Sequence, residues 1–125
     1  MHDPALTVDL LQQIKMAGKT ILSRFQPIHS VQDFTNSDAG MEKLDAICMQ
    51  LIAIGESLKK LDAITAQSLL SKYPQIEWKK AMGLRDIITH HYFDINAEAI
   101  FDVCRTKVKP LIMVIETMLN DLQKK

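Results

Sequence analysis

Residues 44–61 read LDAICMQLIAIGESLKKL, and their apolar members decide the fold class. Leu44, Ile47, Cys48, Leu51, Ile54, Leu58 and Leu61 recur at steps of three and four, the spacing that gathers side chains on one face of an α-helix. A strand would need alternation, and the stretch has none. Gly55 interrupts the stripe; a mid-helix glycine costs about 1 kcal/mol against alanine and usually marks the close approach of a neighbour. Ahead of the stripe, Ser37 or Asp38 can cap the helix by accepting its free backbone N–H groups, and the pattern carries the helix to about residue 60.

The same periodicity extends to both sides. Leu10, Leu11, Ile14, Gly18, Ile21, Leu22 and Phe25 predict a helix over 5–25 that Pro27 ends, followed by the turn-rich connection PIHSVQDFTNSDAG. Residues 62–74, DAITAQSLLSKYP, have room for one short helical turn before Tyr73, which Pro74 pushes away from helical angles. A third helix is expected from Gln75, carrying IEWKKAMGLRDIITHHY; DIN follows as a loop, and Asn96 can cap a fourth helix ahead of AEAIF. Pro110 falls inside the pattern Ile100, Cys104, Val108, Leu111, Ile115, Met118, Leu122, so this last helix should kink or restart near Lys109. Glycine and proline number four each, and no internal repeat breaks the all-α reading. Phe101, Ile112, Val114 and Leu119 widen the last apolar arc beyond what one bundle core needs. They form either a dimer face or a broad stripe inside a monomeric bundle.

At 125 residues the chain is the size of one domain, large enough to bury roughly two thirds of its unfolded surface. Fifteen Lys plus Arg balance fifteen Asp plus Glu. No overall positive field therefore draws the protein to nucleic acid, any such contact must come from local placement, and neutrality favours self-association. Cys48 and Cys104 match no zinc, redox or disulfide-framework spacing, which suits a reducing compartment and makes the cytoplasm the expected location. The first residues, MHDPALTVDL, carry acids where a signal peptide would carry Lys or Arg. No apolar run approaches the ~20 residues of a membrane span, so a soluble, unprocessed protein is expected.

The third helix carries the chemistry. On a wheel at about 100° per residue, Trp78, Ala81, Met82 and Ile88 lie within about 60° of Arg85, which places this arginine in the middle of the apolar arc; Tyr92 projects along nearly the same line. An uncompensated buried charge is costly, so Arg85 must meet a carboxylate, a phosphate or a water-filled cleft, with Glu56 the candidate carboxylate. Both readings stand at this point: a structural Arg85–Glu56 pair that fixes helix register, or an arginine that binds phosphate. Lys79, Asp86 and His90 line a neighbouring stripe at about 120°, 100° and 140°, with Gly83 opening space between them. The i, i+4 spacing lets Asp86 accept a hydrogen bond from His90 and favour its protonated form. His91 lies roughly 100° from His90 and reads as surface or interface.

In an unbroken helix Arg85 and His90 stand about 140° apart. Either the helix unwinds near His90, or two copies of it pack about a two-fold axis and share one cleft. A cleft holding arginine, poised histidine and tyrosine hydroxyls, with no carboxylate cluster for a metal, suits metal-free phosphodiester chemistry that needs no cofactor. RNA fits best, because its 2′-hydroxyl is an internal nucleophile.

In RDIITHHY, residues 85–92, the order Arg, four residues, His, one residue, Tyr resembles the signature of HEPN-domain ribonucleases of the HepT toxin type. IGESLKKL at 54–61, YPQIEW at 73–78, GLRDIITHHYFDIN at 83–96 and the late Pro110-Leu111 appear in that family's order, so the resemblance covers essentially the whole domain. It implies a single HEPN-like domain over 1–125, an up-and-down bundle of four to five helices with a kinked last helix, a homodimer with its RNA cleft at the interface, and metal-independent endoribonuclease activity. By motif position, Arg85 would contact the scissile phosphate, His90 would act as general acid or base, and Tyr92 would help form the site. Asp86, Glu56 and Lys79 would support it. In this family the tyrosine is also where a partner antitoxin, a nucleotidyltransferase of the MNT type, attaches AMP. The added charge and bulk would block RNA. Members can also keep the fold as a non-catalytic subunit that docks a nucleotidyltransferase or a nucleotide. One departure is that His91, not a basic residue, follows His90, which leaves further RNA grip to Lys79 and Lys80.

Overall fold

The computed structural model describes residues 4–124, with the main chain only at Tyr92. Among the described residues six α-helices follow in order: α1 (Pro4–Phe25), α2 (Gln32–Thr35), α3 (Asp38–Ile64), α4 (Trp78–His90), α5 (Ala97–Thr106) and α6 (Val108–Gln123). Among the described residues there is no strand, and the all-α reading holds.

The caps sit where side-chain chemistry puts them. The Ser37 hydroxyl accepts the Gly40 N–H at 3.0 Å to open α3, and the Asn96 side chain accepts the Ala99 N–H at 3.1 Å to open α5. A three-residue 3₁₀ turn at Leu70–Lys72 is the short turn expected ahead of Tyr73. Two boundaries differ from expectation, the end of α3, at Ile64 rather than about residue 60, and the start of α4, whereas the restart of the last helix beside Lys109 is as expected. α4 starts at Trp78 rather than Gln75, because the Trp78 indole N–H donates to the Tyr73 carbonyl at 2.8 Å and closes residues 73–78 into a loop. The Tyr73 hydroxyl in turn donates to Asp121 on α6 at 2.5 Å. The last helix restarts at Val108 after one non-helical residue, Lys107, because Pro110 has no N–H to offer the Thr106 carbonyl.

α1 packs between α3 and α6, α5 leads into α6, and α4 lies chiefly against α3 at the edge of the bundle. One apolar core joins them, with Leu11, Ile14, Ile21, Phe34, Ile47, Leu58, Leu61, Ile115 and Met118 sealed from solvent. Three of the residues that widened the last apolar arc, Ile112, Val114 and Leu119, are buried within this core. Ile112 fills the space that Gly18 leaves on α1, where a Cβ would come within 2.7 Å of it. The fourth, Phe101, stacks edge-on against Phe25 and Phe34 with ring centroids 5.2 and 6.4 Å away. The wide stripe therefore serves the chain's own core. Cys48 and Cys104 are free and buried, their thiols pushed up to about 11 and about 12 by loss of solvent. Among the described residues no helix is long and apolar enough to cross a membrane.

Candidate functional site

The closest approach of α3 and α4 builds the site. Gly55 has no Cβ, and one placed there would lie 3.1 Å from the Arg85 Cβ and 3.2 Å from the Met82 carbonyl. This contact brings the root of the Arg85 side chain against α3, one residue from Glu56. The guanidinium Nε then meets Glu56 Oε1 at 2.5 Å, and its Nη1 donates to Asp86 Oδ1 at 3.0 Å. The other Asp86 oxygen takes the Lys59 ammonium of α3 at 3.5 Å. Two cations and two carboxylates thus alternate across the helix pair. The arrangement pushes the Arg85 pKa up, first through Asp86 and then Glu56, and holds the Asp86 carboxyl below its ordinary range, first through Arg85 and then Lys59.

Arg85 meets Glu56, the carboxylate expected for it, and the pair is not sealed off: the Arg85 side chain keeps 41% exposure and Glu56 keeps 52%. The Arg85 Cβ packs against α3 on the same face as the buried Trp78 and Ile88, and the long side chain carries its charged end out to the rim of that contact. The guanidinium is therefore paired and reachable at once. An open groove of about 460 Å³ between α1 and α3, lined by Leu10, Gln13, Glu56, Ser57, Lys59 and Lys60, ends at the same cluster.

The structure pairs Arg85 with Glu56 as expected, adds Asp86 as a second partner of Arg85, and adds Lys59, which the sequence reading missed. Its signal was available: Lys59 stands three residues after Glu56 and so shares its side of α3. The expected Asp86–His90 hydrogen bond does not form, and Asp86 meets Arg85 and Lys59 instead. His90 is exposed on the last turn of α4. α4 runs through His90 before the chain turns through the 3₁₀ segment Tyr92–Asp94, so the helix does not unwind early enough to bring arginine and histidine to one side within one copy. His91 is exposed, its Nδ1 3.6 Å from Asp94 Oδ1. Lys79 and Lys80 are exposed, with Lys80 paired to Glu77 at 3.3 Å. The Tyr92 side chain lies outside the described residues. Among the described residues no three His, Cys, Asp or Glu side chains converge as metal ligands would.

Chemically, the cluster offers a reachable guanidinium for an oxyanion, and His90, five residues on and about 140° round the same helix, offers an imidazole for proton transfer. A family model described as Ribonuclease HepT-like matches residues 19–118. A protein of Methanocaldococcus jannaschii provisionally named RNase MJ0127 is 38% identical over 97 residues, covering 73% of this chain and 77% of its own. Two more from that organism carry the same provisional RNase naming. MJ0125 is 28% identical over 80 residues, covering 64% of this chain and 66% of its own. MJ1216 is 26% identical over 80 residues, covering 64% and 63%. No solved structure matches the chain significantly. With most of its length matched by the family model, and with these archaeal relatives, the chain belongs to the HepT-like ribonuclease family.

Proposed function

We propose that this protein is a metal-independent endoribonuclease, a single HEPN-like domain over residues 1–125 that acts as the toxin of a HEPN/MNT pair in the cytoplasm. The observation that carries the reading is Arg85, held at its Nε and Nη1 by carboxylates yet 41% exposed, five residues before an exposed His90 in a family of ribonucleases. In the reaction, the RNA 2′-oxygen attacks the adjacent phosphorus and the bond to the 5′-oxygen breaks, which leaves a 2′,3′-cyclic phosphate and a 5′-hydroxyl. Arg85 donates hydrogen bonds to the phosphoryl oxygens as charge builds on the phosphorane. His90 moves a proton, as base for the 2′-hydroxyl or as acid for the departing 5′-oxygen. In a homodimer whose two-fold axis joins the α4 helices, the second copy's imidazole takes the other part.

Tyr92 belongs to this reading as the site-forming hydroxyl and as the acceptor of AMP from a nucleotidyltransferase antitoxin. Its support is position: it lies two residues past His90, in the turn that leaves α4. Charge and volume added there would exclude RNA. The experiment is RNA cleavage in EDTA by wild type, Arg85→Ala and His90→Ala. Cleavage by wild type alone, with all three folded, supports the mechanism; strict dependence on a divalent metal rejects it.

A second reading has its own observation. Arg85 is neutralised by Glu56 and Asp86, and Asp86 is turned to Arg85 and Lys59 rather than to His90. These contacts favour a non-catalytic subunit that docks a nucleotidyltransferase or a nucleotide through the same face. On that reading the protein binds AMP or the transferase and leaves RNA intact at high protein concentration.

A further inference from the structure

We infer that Phe93 is a stacking platform for an unpaired nucleobase of the RNA, set beside the bond that is cut; the inference rests on the ribonuclease reading above. Of the chain's four phenylalanines, Phe25, Phe34 and Phe101 pack on one another against the core, with ring centroids 5.2 to 6.4 Å apart. Phe93 is 98% exposed and forgoes the burial that the other three obtain. The backbone that presents it is clipped on both sides. The His91 N–H donates to the Ile87 carbonyl at 3.2 Å, and the Asp94 N–H donates to the His91 carbonyl at 3.0 Å. The His91 Nδ1 also lies 3.6 Å from Asp94 Oδ1. The ring therefore projects from a braced turn rather than from a loose loop.

Position and surroundings select the ligand. Three residues of chain span at most about 11 Å, so the Phe93 ring lies close to a strand whose phosphate meets His90. A second protein copy would ask for apolar surroundings, because interface cores are depleted in charged residues. The neighbours of Phe93 are instead the exposed His90 and His91 and the exposed Asp94. A nucleobase suits both features, offering an apolar π-face to the ring and polar edges to the groups around it. Stacking also supplies what charge does not. Glu56 and Asp86 cancel Arg85 and Lys59, and the chain as a whole is neutral, so long-range attraction for RNA is weak. Every base has a π-face, so a stacking ring adds affinity for single strands without choosing their sequence.

The test measures binding of two probes by wild type, Phe93→Trp, Phe93→Leu and Phe93→Ala. One is a single-stranded 2′-O-methyl RNA, which cannot cut itself for want of a free 2′-hydroxyl; the other is an abasic strand of the same length and charge. Because the ring is almost fully exposed, the variants should fold and melt like wild type. Wild type and Phe93→Trp should prefer the base-bearing strand. Phe93→Leu and Phe93→Ala should bind that strand about fivefold or more weakly, with affinity for the abasic strand and the salt dependence unchanged. Unchanged affinity in Phe93→Ala, an equal loss on both strands, or a Phe93→Leu that binds like wild type would overturn the inference. So would a dimer that comes apart in Phe93→Ala by sedimentation, since a second copy would then cover the ring. A wild type that prefers bases through Phe93 but cuts no RNA counts against the ribonuclease reading and leaves the stacking standing.

Discussion

Replacing Gly55 with alanine tests whether the α3–α4 contact places the site. Two effects compete. Alanine in the helix interior gains about 0.8–1.0 kcal/mol over glycine. Against this, the new Cβ meets the Arg85 Cβ at 3.1 Å and the Met82 carbonyl at 3.2 Å, and neither atom is the end of a flexible side chain that can swing aside. α4 must recede by a few tenths of an ångström, and overpacking of this kind costs about 1–3 kcal/mol. The balance is a loss of about 0–2 kcal/mol. With an unfolding entropy of about 2.1 cal/mol/K per residue over 125 residues, that lowers the melting temperature by about 0–8 °C. Gly83 provides the control. It also lies within a helix, α4, but nothing comes within 4 Å of a Cβ placed there. Gly83→Ala should then keep the whole propensity gain and melt about 3–4 °C higher. Thermal melts followed by circular dichroism, with urea midpoints as a check, measure both. Should Gly55→Ala rise as much as Gly83→Ala, the two helices are not in tight contact, and the placement of Arg85 against Glu56 needs another cause.

Three further outcomes follow from the titrating groups. The folded Asp86 pKa lies below its unfolded value, so this carboxylate contributes stability that is present above about pH 4 and is lost as pH falls through the folded value. The stability difference between wild type and Asp86→Asn in urea titrations should therefore shrink on acidification below that point; a constant difference would argue against the Arg85 and Lys59 contacts. Tyr73 behaves oppositely: partial burial and Asp121 push its phenol up to about 12, so its contribution is complete below about pH 10 and is lost as pH rises toward that value. Tyr73→Phe should flatten this alkaline loss, measured as the urea midpoint against pH. Finally, Cys48 and Cys104, raised to about 11 and about 12, should stay protonated at neutral pH and react with a thiol reagent only as fast as the protein opens. Fast labelling of the native state would contradict their burial.

Much of the fold could be read from residue spacing because helix periodicity and caps are local. The stripe from Leu44 to Leu61, the Ser37 and Asn96 caps and the break ahead of Pro110 all depend on residues within a turn or two of each other. Gly55 also announced a close neighbour, and Arg85 supplies it. What escaped depends on contacts between elements. A helical wheel treats its apolar arc as uniformly buried. α4, however, rests chiefly on α3 at the bundle edge, so the end of the long Arg85 side chain reaches solvent and stays half exposed although Trp78 on the same face is buried. The partner of Asp86 was missed because the local candidate, His90, lost to Lys59 from another helix, a competition that only packing decides. The apolar surplus of α5 and α6 was absorbed by Gly18 and by Phe25 and Phe34, residues too distant in sequence to be matched to it beforehand.

The central claim is that Arg85 and His90 let the RNA 2′-oxygen cut its own strand. The most direct measurement incubates the protein in EDTA with an RNA and with the all-deoxy strand of the same sequence, and analyses the ends that form. Cleavage of the RNA alone, with 2′,3′-cyclic phosphate and 5′-hydroxyl ends, is the predicted result. Cutting of both strands, or ends carrying a 5′-phosphate, would contradict it.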